Sequence, residues 1–325
     1  MDLHLDDDQL ALQETVARFC GDRWPLEGLA ERPADAFDRG AWKELVELGV
    51  PSLMAPEASG GLGLGMVEGA VAFEQLGRHL VPGPLSWSAL AALRIPEVAG
   101  GSCIAGGVEA TGAPPWFVEA IDRVDLVLVL REDGVVRVDP SRCERAMAPE
   151  PLDPLNPVGV IASLPDGVAV GDAADAARLR DVGTALGAAL QLGIAQAALD
   201  VAVAYALERE QFGVPIGSFQ ALKHILADMY VRVGLARSAT YAAAAVLDDP
   251  EVGRAERSLR GAKLLAGEAA FENARAAVQV LGGMGFTWEM APHFLLKRAL
   301  VLDQSFGTPR AHALALAASL AEEAA

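Results

Sequence analysis

Apolar residues recur with a helical period through two long parts of the chain, and a part with a different pattern lies between them. Residues 1–98 and 175–325 carry apolar positions three and four apart, with Ala and Leu prominent in the second. Such spacing predicts amphipathic helices that pack side by side. Residues 99–174 instead contain short apolar runs interrupted by Gly and Pro, which is typical of short strands. The pattern predicts a mainly α protein with three domains: an N-terminal helical lobe, a small middle β domain and a C-terminal four-helix bundle.

The first helical part opens with an acidic run inside an apolar stripe. The stripe consists of Leu3, Leu5, Leu10, Leu12, Val16 and Phe19. Residues 6–8 are all Asp, and negative charge near a helix start is stabilising. A second helix is predicted around Trp42 and ends before Gly49 and Pro51. The glycine-rich residues 55–65 match no phosphate-binding fingerprint and follow no strand, so they are interpreted as a tight connection to a third helix.

The middle part contains at least four strand candidates. Residues 124–130 and 134–138 are apolar runs separated by a Glu-Asp-Gly turn signal, which predicts a hairpin. Residues 158–164 and 168–170 are further candidates. Prolines at positions 149, 151, 154, 157 and 165 keep these strands short or at sheet edges.

The last part predicts four or five long helices. Their expected spans are residues 176–210, 219–247 and 251–281, followed by a segment after Pro292. Asp249 and Pro250 mark one turn between them, and paired glycines at 282 and 283 mark another.

Composition and charge exclude several classes of protein. The formal net charge is -18, which argues against nucleic acid or an anionic membrane surface as the main partner. The three cysteines have no metal-like spacing, so no metal site is predicted and the thiols fit a reducing compartment. The acidic N-terminus lacks a signal pattern, and no apolar run has the length and uniformity of a membrane span. A cytoplasmic location is expected.

Candidate chemistry is concentrated at the junction between two predicted helices, within residues 204–230. Gly213, Pro215 and Gly217 break the helical pattern. A guanidinium, two amides and two aromatic rings flank this break: Arg209, Gln211, Phe212, Phe219 and Gln220. Together they are able to hold a phosphate and a flat heterocycle. The alternative interpretation is an ordinary helical hairpin with a polar turn.

A second stretch, residues 276–299, supports the interpretation of the first as a ligand-binding motif. Gln279 lies near a helix end, and Gly282 and Gly283 allow another chain or a ligand to approach the backbone. The two motifs read R-x-Q-F-G-x-P-I-x-x-F-Q from Arg209 and, about seventy residues on, Q-x-x-G-G-x-G-F. With the Pro56-Glu57, G-G-L-G and Glu74-Gln75-Leu76-Gly77 elements of the first part, the chain resembles the acyl-CoA dehydrogenase family over most of its length.

This resemblance implies a flavoenzyme that removes two hydrogens from the α and β carbons of an acyl-CoA substrate. In the family a carboxylate takes the α-proton, flavin N5 accepts a hydride and an electron-transfer flavoprotein is the acceptor. The family's FAD is gripped across a subunit boundary, at its pyrophosphate and adenosine half. By resemblance, the gripping residues here are Arg209, Gln211, Phe212, Gln220, Gln279, Gly282 and Gly283.

The chain departs from the family at the catalytic base. Phe306 occupies the position of the family's Glu, and Phe has no proton acceptor. Some members place this Glu on an earlier helix, but the corresponding residues 183–189 contain no carboxylate. Asp303, Asp181 and Glu289 lie nearby in sequence, although each is more often a structural or solvated charge. The catalytic residue is therefore unknown at this stage.

The middle domain departs as well. The family's Thr-Glu-Pro, Gly-Ser-Asp and Trp-Ile elements, which cover the flavin ring, are not recognisable between Cys103 and Val124, and the domain is reduced. Heteromeric members, such as actinobacterial steroid-degrading pairs, combine a degenerate subunit with a catalytic one. The leading hypothesis is such a non-catalytic partner of a homologous catalytic subunit. The alternatives are a homomeric dehydrogenase with a displaced base and a flavin-free scaffold or acyl-CoA-binding protein.

Overall fold

The fold is described from a computed structural model, which covers residues 3–32, 37 and 39–324. It divides into two compact units. One consists of Met1–Glu31, Ala70–Val81 and Thr184–Ala325, and the other of Arg32–Gly69 and Pro82–Gly183. The α-helices are α1 Asp7–Arg23, α2 Arg39–Glu47, α3 Met66–Arg78, α4 Leu85–Ala92, α5 Pro96–Ala99, α6 Ala173–Glu208, α7 Gln220–Asp248, α8 Ala255–Leu281, α9 Pro292–Leu302 and α10 Pro309–Ala324. The mainly α fold with a small β part is confirmed, and the three-domain division stays a prediction.

The strands of the second unit form two small sheets. The strands are β1 Ala105–Glu109, β2 Trp116–Glu119, β3 Leu126–Leu130, β4 Gly134–Val138, β5 Glu144–Met147, β6 Val158–Ser163 and β7 Val168–Asp172. One sheet has the order β1-β3-β4-β7, with β1 and β3 parallel, and the other has the antiparallel order β2-β6-β5. The predicted hairpin is confirmed, because β3 pairs with β4 in antiparallel register from Leu130 and Val135 outward.

Strands β1, β2 and β5 were missing from the sequence-based prediction. Strand β1 contains Gly106 and Gly107, which weaken a strand pattern. The structure explains one of these glycines, since a Cβ at Gly107 would lie 2.1 Å from the ring of Trp87 on α4. All four residues of strand β5 are exposed, so its sequence has no alternation of apolar and polar residues that would predict a strand.

The first unit is a helical bundle built around α8. Helices α7, α9 and α10 all pack against α8, and α7 and α8 run antiparallel because a short turn at residues 249–254 joins them. Buried Asn273 on α8 donates to the carbonyl oxygens of Ala195 on α6 and Met229 on α7, at 3.2 and 3.1 Å. Helix α8 starts at Ala255 rather than at 251, and the segment after Pro292 consists of the two helices α9 and α10.

Helices α3 and α6 cross with their backbones in contact. A Cβ at Gly77 would lie 2.1 Å from the carbonyl oxygen of Leu190, and a Cβ at Gly193 would lie 2.0 Å from that of Glu74. Backbone atoms cannot rotate away as side chains do, so glycine is required on both sides of the crossing. This crossing joins the N-terminal helical segment to the bundle.

The N-terminal prediction is partly wrong. Asp6 is the N-cap of α1, and its side chain and that of Gln9 form a reciprocal capping box. The predicted apolar stripe is not a buried face, because only Val16 and Cys20 of α1 are buried and Leu10 keeps 43% of its surface exposed. Leu3 and Leu5 precede the helix, so helical periodicity does not apply to them.

One finding differs from the expectation about membranes. Helix α6 has the length and composition of a membrane span, although 78% of its most apolar window is buried inside the fold. A buried core helix has the same composition. Among the described residues no group of His, Cys, Asp and Glu is arranged to hold a metal ion, and the three cysteines are free thiols.

Candidate functional site

The first motif folds into a two-stranded hairpin between α6 and α7. Its strands are β8 Glu210–Gln211 and β9 Val214–Pro215, paired from Gln211 and Val214 outward. The two loop residues, Phe212 and Gly213, have φ values of 55° and 79°. Two positive φ values in a two-residue hairpin loop are typical of a type I′ turn, in which Asn-Gly is the favoured pair.

Phe212 is therefore a strained residue on an exposed loop. An aromatic side chain at positive φ is unfavourable, and residues held in this way are concentrated at functional sites. Phe212 is 93% exposed, and its ring is T-shaped to that of Phe219, with a centroid distance of 6.2 Å and an interplanar angle of 86°. The side chain gains little burial in this chain, so its strain is not explained by packing of the subunit itself.

The polar residues of the motif surround this ring. Arg209, Gln211 and Gln220 are all exposed, with Gln220 the first residue of α7. Arg209 contributes its backbone to the hairpin, because its carbonyl oxygen accepts from the amide of Ile216 at 2.8 Å. The hairpin thus presents a guanidinium, two amides and a flat ring to solvent.

The second motif lies at the same end of the α7–α8 pair. Arg232 of α7 contacts Asn273 of α8 at 3.3 Å, so in an antiparallel pair the start of α7 lies beside the end of α8. Gln279 is exposed there. A Cβ added at Gly282 or Gly283 would meet nothing within 4 Å, and Gly282 has a φ of 60°. Both motifs therefore lie at one end of the bundle. In the second motif, the backbone at Gly282 and Gly283 is accessible to a ligand.

The residue that the resemblance aligns with the family's base, Phe306, is buried. Phe306 is only 4% exposed and has a φ of 54°, and the next residue, Gly307, has a φ of 94°. His312 holds this loop, because its Nε2 lies 2.8 Å from the carbonyl oxygen of Phe306. Burial lowers the pKa of His312, so the ring is neutral at neutral pH and Nε2 is the donor. A buried phenyl ring leaves no proton acceptor at this position.

Asp303 is part of a buried polar network that joins three helices. Its Oδ1 accepts from Nε2 of Gln191 on α6 at 2.6 Å, and Oε1 of Gln191 accepts from Nζ of Lys263 on α8 at 3.0 Å. Lys263 is 2% exposed and also donates to the carbonyl oxygen of Leu302 at 2.7 Å. Burial raises the pKa of Asp303, while Lys263 and Gln191 act in the opposite direction.

The other carboxylates named from the sequence differ from Asp303. Asp181 and Glu289 are exposed. Residues 183–189 contain no carboxylate, and a Cβ added at one of them, Gly187, would lie 3.7 Å from Nζ of Lys263. Asp303 is therefore the one candidate base of the three that lies in a polar network inside the protein.

Sequence reasoning missed Gln191 and Lys263. A signal for Lys263 exists, since it lies on the apolar face of α8 between Leu259, Ala262 and Ala266, all of which are buried. A lysine in the apolar register of a helix must find buried partners for its ammonium group. Gln191 lies in a run of Ala and Leu on α6 and gives the same kind of signal.

Comparison with known proteins shows the family to which the chain belongs. The model of the acyl-CoA dehydrogenase N-terminal domain matches residues 6–103, and that of the C-terminal domain matches residues 181–321. The chain belongs to the acyl-CoA dehydrogenase family. It is 33% identical to acyl-CoA dehydrogenase IpdE2 of Mycobacterium tuberculosis over 326 residues, which cover 92% of this chain and 93% of the relative.

Two solved structures share the fold over nearly their whole length. One is described as the Tcur3481-Tcur3483 steroid ACAD G363A variant, with 25% identity, a TM-score of 0.82 and coverage of 98% of this chain and 99% of that chain. The other is the ChsE4-ChsE5 complex from Mycobacterium tuberculosis, with 24% identity, a TM-score of 0.82 and 99% coverage of both chains. Acyl-CoA dehydrogenases are FAD-dependent oxidoreductases, and FAD is the cofactor of this family.

Proposed function

We propose that the chain is the non-catalytic subunit of a heteromeric FAD-dependent acyl-CoA dehydrogenase. In this assembly it supplies the pyrophosphate and adenosine half of a shared FAD site, and a homologous subunit supplies the base. The substrate is an acyl-CoA thioester, and an electron-transfer flavoprotein is the electron acceptor. The observation that carries the proposal is the buried phenyl ring of Phe306 at the position of the family's base.

The chemistry of the family requires a carboxylate that removes the α-proton of the thioester. Proton abstraction by a positioned base contributes roughly 10²–10⁴-fold to a rate. Phe306 offers no acceptor, and residues 183–189 on α6 contain no carboxylate, while one of them, Gly187, lies beside the ammonium group of Lys263. A cation at this place disfavours the transfer of a proton towards it.

The hairpin supports the other half of the proposal. Arg209, Gln211 and Phe212 are exposed on a turn that is strained at Phe212. Burial within one subunit does not offset the strain of this exposed aromatic ring, which is typical of a functional residue. A ligand held by a second subunit would use it. The arrangement fits one half of a site that another chain completes.

The residues present fit a dinucleotide. Arg209 supplies a permanent charge and a planar set of donors for a pyrophosphate, and Phe212 supplies a ring face for an adenine. Gln211, Gln220 and Gln279 add amide groups, and the open backbone at Gly282 and Gly283 allows close approach. When bound, FAD supplies the hydride acceptor of the reaction, and these residues hold and orient its non-reacting half.

The names of related proteins agree with a heteromer. The ChsE4-ChsE5 complex and the Tcur3481-Tcur3483 protein are each named as a pair of different chains. Their folds match this chain over nearly its whole length, so a paired assembly is the arrangement that these relatives favour for it.

A second candidate function is a homomeric dehydrogenase in which Asp303 is a displaced base. This reading is favoured by one observation, since Asp303 is half-buried and burial raises its pKa. An active homomer of this kind would lose turnover on Asp303→Asn. Because its base must be ionised, its rate would rise with pH through the raised pKa of Asp303.

The test of the proposal is co-expression with a homologue that carries the Glu and a complete flavin-covering domain. The expected result is a stable mixed assembly with one FAD for every two chains, measured by native mass spectrometry and flavin absorbance. A homotetramer with one FAD per chain would contradict the proposal and support the displaced base. A flavin-free monomer that stays unmixed would support a scaffold or acyl-CoA-binding protein.

Arg209→Ala is expected to weaken FAD retention in the assembled complex by about tenfold or more, because a charge-assisted contact to the pyrophosphate is lost. The thermal midpoint of the chain should change little, since Arg209 is exposed. The measurement is FAD release on dilution, with Arg310→Ala on α10 as the matched control. Unchanged FAD content together with a large fall in the midpoint would make Arg209 a structural hairpin residue.

Phe212→Asn is expected to separate stability from cofactor binding. Asn tolerates positive φ, so the hairpin loses its strain and the thermal midpoint stays equal or rises. The ring face is lost, and FAD affinity in the complex should fall by about fivefold or more. Both are measured on one preparation by calorimetry and by FAD release. If affinity is unchanged, Phe212 does not contact the cofactor.

A further inference from the structure

A cavity of about 850 Å³ lies in the first unit between α1, α3, α6 and α7, away from both FAD motifs. Its volume falls within the range of small-molecule sites, roughly 300–1,000 Å³. Its lining divides into a polar end and an apolar end. The polar end contains Glu74, Gln75, Arg78, Gln196, Arg237 and Tyr241, and the apolar end contains Leu3, Leu5, Leu10 and Ala17.

Two carboxylates, Glu74 in the polar end and Asp200 beside it, each accept two hydrogen bonds. Glu74, which is 2% exposed, accepts from Nη2 of Arg237 and from the hydroxyl of Tyr241, each at 2.7 Å. Asp200 accepts from Nη2 of Arg78 and from Nε2 of Gln196, each at 2.7 Å. Burial and the carboxylate of Glu74 raise the pKa of Tyr241, so its hydroxyl remains a donor.

The two guanidinium groups, by contrast, are only partly engaged. Each makes its ion pair through Nη2, and the side chains of Arg78 and Arg237 stay 40% and 37% exposed. Gln196 links them, because its Oε1 accepts from Arg237 at 3.0 Å while its Nε2 donates to Asp200. Both arginines line one cavity, and the part of each side chain that stays exposed is accessible to a ligand there.

Gln75 provides an independent observation. It is 2% exposed and lines the cavity, and its Oε1 has no hydrogen-bond partner in the described part of the chain. A buried amide oxygen without a partner is costly, and such groups are normally satisfied by a ligand or water. Rotation of the amide by 180° exchanges Oε1 and Nε2 at little steric cost, which would place a further donor here.

The apolar end explains why leucines of the N-terminal segment are not buried. Leu10 is 43% exposed, and Leu3 and Leu5 are half-buried, although all three belong to the apolar stripe named from the sequence. They face a cavity instead of a neighbouring helix. One acidic side chain on α1, Glu14, also lines the cavity, but it is exposed.

We propose that this cavity binds an aliphatic monocarboxylate, with its carboxylate held by Arg78 and Arg237 and its tail against Leu3, Leu5 and Leu10. Partly exposed guanidinium groups select a carboxylate over an alcohol or an amine, because planar donors match its two oxygens. The leucines select an aliphatic tail over a small inorganic anion. This site is separate from FAD binding and does not depend on the role proposed for the hairpin.

The test is isothermal titration of the full-length protein with sodium octanoate, and with octanol, octylamine and acetate as matched probes. Octanoate is expected to bind saturably with one site per chain, and the other three at least about tenfold more weakly. Leu10→Glu should weaken octanoate binding by a similar factor, because it places a negative charge on the apolar wall. Leu314→Glu is the control, since Leu314 is 61% exposed on α10 and does not line the cavity.

Arg78→Gln should also weaken binding about tenfold or more, and its thermal midpoint shows whether the chain is folded. If Arg78→Gln does not fold, Leu10→Glu decides alone, because an exposed leucine is not needed for the core. Absence of saturable octanoate binding would overturn the proposal. So would equal binding of octanol, or octanoate binding that neither variant changes.

Discussion

The chain purified alone is expected to oxidise acyl-CoA substrates about 10²–10⁴-fold more slowly than the mixed complex. Phe306, at the position proposed for the base, is a buried ring, and residues 183–189 contain no carboxylate. Loss of a general base lowers kcat while substrate binding is retained, so the deficit should appear in kcat more than in KM. The measurement is steady-state turnover with an artificial electron acceptor at saturating acyl-CoA.

Two controls make this result specific. FAD is added in excess, so that a low rate does not reflect lost cofactor. Asp303→Asn in the mixed complex is expected to leave turnover nearly unchanged, provided that thermal unfolding shows the Gln191–Asp303 contact to be dispensable for folding. Robust turnover by the chain alone that Asp303→Asn abolishes would identify Asp303 as the base and refute the non-catalytic role.

Gly193→Ala is expected to destabilise the first unit by about 3 kcal/mol or more. Its new Cβ would lie 2.0 Å from the carbonyl oxygen of Glu74 and 2.6 Å from the amide nitrogen of Arg78. Overpacking in a core typically costs about 1–3 kcal/mol, and here the obstacle is backbone, which relaxes only if α3 and α6 separate. The expected readout is a much lower thermal midpoint or loss of soluble protein.

Gly234→Ala is the matched control for this crossing. Gly234 also lies inside a long helix, but a Cβ there would meet nothing within 4 Å. Alanine in an exposed helical position is better than glycine by about 0.5–1 kcal/mol, so this variant should unfold at an equal or higher temperature. If the two variants unfold at the same temperature, the backbone contact between α3 and α6 is not required.

The helical parts of the fold followed from the sequence because their signal is local and long. Helices α7 and α8 were predicted to within one residue at Gln220 and Leu281, since apolar periodicity and turn residues both mark these ends. Strand β1 was missed because the contact that accounts for its glycine at position 107 is made with a residue far away in the sequence. Its Gly107 gives room to Trp87, twenty residues earlier in the chain, and no pattern within β1 reveals that neighbour.

The family and the hairpin motif could also be predicted from the sequence, because residue types at fixed spacing define both. The strain at Phe212 could not be predicted, since its φ depends on the register in which β8 and β9 pair. Likewise, the sequence shows a phenylalanine in place of the base, but only the fold shows that its ring is buried. The three named carboxylates looked alike in sequence, and Gln191 distinguishes Asp303 from the other two.

The sequence by itself thus determined the helical architecture, the family and the absence of a base at position 306. The tertiary structure decided which side chains lie together: the Lys263, Gln191 and Asp303 network, the glycine crossing of α3 and α6, and the cavity beside Leu10. The physical reason is distance along the chain. Helix propensity and turn chemistry act over a few residues. These features instead join residues far apart in the chain, such as Gln191 and Lys263, which are 72 positions apart, and Glu74 and Arg237, which are 163 positions apart.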